Sequence, residues 1–250
     1  MIQPTAAAVG AAALGALAAG TYYPNATLFG PVVGRGPRTG RELYLTFDDG
    51  PNRSATAAIL ETLDRERVPA AFFMVGEHVR RFPDLARAVA GAAGGAGRAG
   101  AGAAHEIGNH TDHHVKLHRL GPRRIAAELA AGHRAIEDAT GRTPRAFRAP
   151  HGFRNPFVWP AARRLGYRMF GWTFGVWDSD PIGAEEIRRR VRARLTPGAI
   201  ILLHDGDGYD PAGDRSQTAA ALPGIIRDAG DAGYAFRPLG ALLPGGAPRG

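Results

Sequence analysis

From residue 42 onward, short runs of β-forming residues alternate with amphipathic stretches of helix length. No other feature restricts the fold as much. Strands joined by helix-length crossovers pair in parallel, whereas antiparallel neighbours need only a tight turn. Residues 42–47 alternate and are rich in β formers, and residues 70–75 form a continuous apolar run, as a strand buried on both faces requires. Further strands are expected at 105–109, 145–148, 167–172, 199–204 and 234–238. Helices are expected at 52–65, 76–90, 122–139, 156–165, 185–195 and 217–229. Ile125, Leu129 and Ile136 show the helical spacing of an inward face, and Pro83 with Asp84 opens a second part within 76–90. The fold class is therefore α/β around a parallel sheet, open or closed as a barrel. In such sheets functional groups collect at the carboxyl ends of the strands.

At 250 residues the chain has the size of one domain. It contains no cysteine, which excludes disulfides and thiolate metal sites, so His, Asp or Glu must hold any metal. The formal charge of +8 is carried almost wholly by arginine, with Lys116 the single lysine. A basic surface favours anionic partners such as cell-wall polymers or lipid headgroups. No arginine stripe is interleaved with aromatics, so nucleic acid is not expected as a partner. Residues 6–19 are apolar but Ala-rich and short for a membrane span. Residues 1–20 read either as a signal peptide or weak membrane anchor, which implies an extracytoplasmic protein, or as a surface helix. Ala16-Leu17-Ala18 resembles a cleavage site, whereas Met1-Ile2-Gln3-Pro4 lacks the basic residues of a signal. Residues 21–40 form a turn-rich lead-in with Val32-Val33 as a short strand, and 41–245 hold the main domain. The Gly/Ala stretch 91–104 is expected to be a loop or a worn helix–strand connection.

Five polar clusters follow strands. Asp48 and Asp49 lie in Thr46-Phe47-Asp48-Asp49-Gly50-Pro51-Asn52. Adjacent acids after a strand point in different directions, so one can bind a metal while its neighbour stays free; read alone, they serve equally well as a helix N-cap. His110 and His114 are four apart. On a helical turn they share a face and can share a metal. The competing reading is a solvated His-rich loop, with His113 as a lower-ranked ligand. Two imidazoles and a carboxylate with an open position make the ligand set of a hydrolytic zinc site, and the spare carboxylate beside it is a candidate base. Arg148, in Arg148-Ala149-Pro150-His151-Gly152, is placed to pair with Asp48 and aim it, unless it is a surface arginine. The constrained loop after it offers a backbone N–H to a ligand. His204, ending the apolar run of Leu202 and Leu203, is placed as a general acid or is simply a capped strand-end histidine. Trp177-Asp178-Ser179-Asp180 offers a ring to stack on a sugar and an acid to orient an imidazole, or is a plain turn.

In this order, the motifs TFDDGPN, HTDHH, RAPHG, WDSD and LLHDG resemble those of the polysaccharide deacetylase family, also called the NodB homology domain or carbohydrate esterase family 4. The resemblance runs from Glu42 to Pro238. It implies an irregular (β/α) barrel, usually of seven strands, and a hydrolase removing acetyl from N-acetylated amino sugars of a glycan. It implies Asp48 as catalytic base; Asp49, His110 and His114 as ligands of a divalent metal, usually zinc; and Arg148 orienting Asp48. It further implies the His151 backbone N–H at the oxyanion, His204 as acid supported by Asp178, and Leu202 and Trp177 lining the acetyl and sugar pocket. His151 replaces a more usual aromatic, and Asp178 fits its motif most loosely. O-deacetylation of xylan and an inactivated carbohydrate-binding barrel are the alternatives.

Overall fold

The computed structural model describes residues 6–91 and 105–243. The expected Gly/Ala connection at 91–104 lies almost wholly outside them. The element order is α1 (Ala6–Tyr22), β1 (Glu42–Asp48), α2 (Thr56–Glu66), β2 (Ala70–Met74), α3 (Gly76–Arg81), α4 (Pro83–Val89), β3 (Glu106–Asn109), α5 (Pro122–Thr140) and β4 (Ala146–Phe147). It continues through α6 (Val158–Arg164), β5 (Arg168–Met169), β6 (Phe174–Gly175), α7 (Ala184–Arg192), β7 (Ala199–His204), α8 (Ser216–Asp231) and β8 (Ala235–Phe236).

All these strands pair in parallel, in the order β5-β4-β3-β2-β1-β7-β6. This is the curled parallel sheet of an irregular (β/α) barrel. The short β8 pairs with the start of β1 at Leu43, which also pairs with Ala199 of β7, so β8 takes the side that β2 reaches only from Leu45. The lead-in reaches both sides of the strand order. Val33 bridges to Phe170 beyond β5, and Arg35 bridges to Ala199 of β7.

The alternation of β1 explains how the interior is built. Leu43, Leu45 and Phe47 pack outward with Phe72, Ile59, Leu63 and Ile136 in the layer between sheet and helices. Tyr44 faces the other way, into a smaller cluster with Phe73, Ala146, Phe170 and Ile200. With side chains alternating at period two, Thr46 and Asp48 share the inner face with Tyr44. One strand thus supplies an apolar outer face and a polar inner end.

Several boundaries differ from the sequence expectation. α2 starts at Thr56 rather than at 52. Asn52 folds the intervening turn by accepting the Ser54 N–H and donating its own N–H to Thr56 Oγ1. The helix expected over 76–90 is two helices, because Pro83 supplies no N–H for continuation. β6 has only two residues, one of them Gly175, and carries no periodic signal.

Candidate active site

The catalytic candidates converge because Asp48 and His204 are register partners at the carboxyl ends of β1 and β7. Asp48 is buried, and its Oδ1 accepts a 2.6 Å hydrogen bond from Arg148 Nη1. The same nitrogen donates to Thr46 Oγ1 at 2.9 Å, and Nη2 donates to the Gly171 carbonyl at 2.8 Å. The guanidinium also lies 4.1 Å from the Phe73 ring centroid. Arg148 is thus wholly buried and anchored on several sides, which turns Asp48 Oδ2 away from it.

Asp49 turns out of the strand with φ 75°. Its backbone carbonyl accepts a hydrogen bond from His78 Nδ1 at 2.8 Å, and its Oδ1 faces His110 Nε2 at 3.3 Å and His114 Nε2 at 3.1 Å. Burial disfavours its charge, but the two imidazoles facing it, His114 foremost, prevail and hold its carboxyl well below the usual range. The pair His110 and His114 does not sit on a helical turn, as the spacing predicts. The segment bends through Thr111 at φ 72° and His114 at φ 52°, because His110 caps β3 and the chain must turn back at once. The rings still meet, 5.1 Å between centroids. His113 is exposed and pairs with Glu128, so it takes no part.

These three residues fit a cation. His110 Nδ1–H donates to the Arg148 carbonyl at 2.8 Å, which leaves a lone pair on Nε2 in the neutral ring. Asp49 Oδ1 is buried without a hydrogen bond despite the nearby imidazoles. The ligand atoms of Asp49, His110 and His114 all lie within 4.8 Å of one another, the one such group among the described residues. Buried lone pairs converging with no proton between them are what a divalent ion satisfies.

His204 is held by Asp178 at both ends. Its N–H donates to Asp178 Oδ2 at 2.8 Å, and its Nδ1 to Asp178 Oδ1 at 2.9 Å. Asp178, fully buried, also accepts from Thr218 Oγ1 at 2.9 Å. Burial opposes a charged imidazole, but the Asp178 carboxylate outweighs it and raises His204 to about 9. His151 moves oppositely: burial first, then His114 beside it, push it down to about 4.

A cavity of about 680 Å³ joins these groups. Its wall includes Asp48, Asp49, His110, His114, His151, Trp177, Leu202 and His204, with Arg148 and Asp178 buried behind it. Every site residue expected from sequence is therefore in one place. Trp177 is 68% exposed, which leaves its ring available to a ligand, and Leu202, in β7, is a buried part of the wall. The turn at 150–152 bonds through the N–H groups of Gly152 and Phe153, and the His151 N–H takes no part in it. Backbone strain concentrates here. Of six non-glycine residues with positive φ among those described, Asp49, His114, His151 and Trp177 line the cavity, Thr111 follows the ligand candidate His110, and Arg67 is elsewhere.

The structure adds Trp172, Phe153, Arg194 and Tyr209 to the wall and Thr218 and Asp205 behind it. Asp205 was readable as the residue after His204; burial raises its carboxyl to about 7, and it fills the space where a Cβ on Gly50 would stand. The others carry no local pattern.

A parallel barrel that gathers acids, imidazoles and a buried arginine at its carboxyl rim is the frame of a hydrolase. The family model for polysaccharide deacetylases matches residues 35–170, and the chain belongs to that family. A chitooligosaccharide deacetylase of Bradyrhizobium sp. (strain ANU 289) is 35% identical over 211 residues, spanning 81% of this chain and 90% of that protein. A peptidoglycan-N-acetylglucosamine deacetylase of Bacillus cereus is 33% identical over 212 residues, with coverage of 83% and 90%. Among solved structures, a peptidoglycan N-acetylglucosamine deacetylase superposes with a TM-score of 0.75 at 25% identity, covering 85% of this chain and 92% of that one. The protein is a deacetylase with the fold of that family.

Proposed function

We propose that this deacetylase removes acetyl groups from N-acetylglucosamine-type units of a chito-oligosaccharide or peptidoglycan-like glycan, with a divalent metal, zinc by its donor set, held by Asp49, His110 and His114. The observation that carries the reading is the placing of an arginine-held carboxylate and an aspartate-held imidazole in register on adjacent strands beside those ligands. Bound there, such an ion supplies Lewis acidity toward the acetyl carbonyl and toward an attacking water. Asp48 Oδ2, left over by Arg148, receives the proton from that water. The His151 backbone N–H is the donor for the oxygen that becomes negative. His204 Nε2 carries a proton to the departing nitrogen, since an amine leaves poorly until protonated. Asp178 keeps that proton in place. Trp177 gives the sugar a stacking face. Action on an envelope glycan agrees with an extracytoplasmic location, which belongs to the same proposal.

The test is acetate release from chito-oligosaccharides and from peptidoglycan by purified protein, after chelation and after adding zinc back. Release restored by zinc is expected, with Asp48→Asn retaining zinc while turnover falls by about 10²- to 10⁴-fold. Zinc bound without release from either glycan overturns the N-deacetylase reading, and turnover kept by Asp48→Asn overturns the role given to that carboxylate.

A further inference from the structure

His110 and His114 are held by different means. A metal-binding imidazole is normally oriented through its second nitrogen, by a carboxylate or carbonyl. His110 follows this rule through Arg148. His114 does not: its Nδ1 is buried and has no hydrogen-bond partner. Its backbone also lies in the left-handed region, at φ 52°.

Three neighbours surround that ring. Gly208, between β7 and α8, approaches so closely that a Cβ there would stand 2.2 Å from Nδ1. The Tyr209 ring meets His114 edge-on at 4.9 Å between centroids, and the His151 ring lies 4.9 Å away at a tilt. Tyr209 Oη and His151 Nε2 are hydrogen-bonded at 2.8 Å, so the two rings brace each other above the ligand. The segment carrying Tyr209 is itself clasped. Asn52 Nδ2 donates to the carbonyls of Pro211 at 2.9 Å and Gly213 at 3.0 Å. Arg215 Nη2 bonds Asp207 Oδ2 at 2.8 Å, and Asp207 Oδ1 accepts the N–H groups of Tyr209 and Asp210.

We propose that Gly208 and Tyr209, braced by His151, orient the third ligand by packing, in place of the hydrogen bond that orients the second. Tyr209 and His151 are thus positioning residues, and the histidine at 151 acquires a part: its ring packs against His114 on the side that Tyr209 leaves open. The inference rests on the metal reading given above.

The test measures zinc affinity of the full chain by competition with a chromophoric chelator, alongside thermal melting. Removing an outer partner of a ligand typically weakens metal binding by about 10- to 100-fold. Tyr209→Ala is expected to fall in that range at an unchanged melting temperature. Tyr209→Phe keeps the ring and loses only the bridge, and should stay within about 3-fold of the parent. Gly208→Ala, whose methyl displaces the imidazole, should weaken zinc like Tyr209→Ala. In cobalt-substituted protein the visible band should change in Tyr209→Ala and match the parent in Tyr209→Phe, a readout that loss of stability alone does not move. Parental zinc affinity in Tyr209→Ala overturns this inference alone. A parent that binds no zinc overturns the metal reading and this inference with it.

Discussion

Asp48 and Asp49 are neighbours in the chain, yet one dihedral angle sends them to different tasks. Asp48 ends β1 in extended backbone and meets Arg148; Asp49, at φ 75°, swings to the imidazoles. The acid candidate is built as carefully. His204 has its pKa raised to about 9 because the contact with Asp178 overcomes burial. An acid catalyst must be protonated, so activity should persist through neutral pH and fall as pH rises through about 9. Asp178→Asn can still accept from Nδ1 but removes the charge that favours imidazolium. Its alkaline limb in kcat/KM, measured from pH 6 to 10 on an N-acetylated oligomer, should move to lower pH by about one unit or more. A limb that stays in place excludes His204 as its source. At this scale much was legible. The paired acids, the paired histidines and the strand-end His204 are local patterns, and each lies where its strand ends. Tyr209 and Arg194 in the wall and Thr218 behind it were not legible, since they come from exposed or helical segments with no spacing to mark them.

Among the elements, long strands and amphipathic helices were readable because burial imposes a period on them. The two-residue strands β4, β5 and β8 fall inside the expected runs but are shorter than them, and β6 was missed, since their pairing is dictated by neighbours already in place. The lead-in is the clearest case of structure beyond the reach of pattern. Its turns mark a loop, but its role depends on Arg154, a residue 2% exposed, whose Nη2 donates to the carbonyls of Tyr23, Pro24 and Ala26. The Arg154 N–H donates to the Thr21 carbonyl at 3.1 Å, within α1. An arginine at the end of a helix satisfies carbonyls that have no partner in the helix and complements its dipole. Arg154 so ties α1 and Pro24, which lines the cavity, to the segment that follows His151. Arg154→Met should leave these carbonyls without a charged donor and destabilise the protein by about 2 kcal/mol. Thermal melting and amide hydrogen exchange check this together: the exchange increase should centre on residues 21–26. Unchanged exchange there, at any melting temperature, refutes the tie.

Over the whole molecule, charge is distributed so that the site and the surface act differently on a substrate. At the site the acids are engaged: Asp48 with Arg148, Asp49 with two imidazoles, Asp178 with His204, and Asp207 with Arg215. The formal charge of +8 therefore expresses itself largely outside the site, through exposed arginines such as Arg123 and Arg124. Exposed charges act over roughly a Debye length, about 10 Å at 0.1 M salt, and steer large anionic partners more than small neutral ones. A short neutral oligosaccharide that fits the 680 Å³ cavity meets mainly the paired groups within it. A polymer with many carboxylates or phosphates extends beyond the cavity across the basic surface. Raising salt from 50 to 300 mM should therefore raise KM for an anionic wall polymer several-fold while kcat stays constant. KM for a neutral N-acetylated oligomer should stay within about 1.5-fold, because its contacts are packing and short hydrogen bonds that salt screens little. An equal salt response for both substrates would place the polymer's recognition entirely inside the cavity and leave the basic surface without a part in binding it.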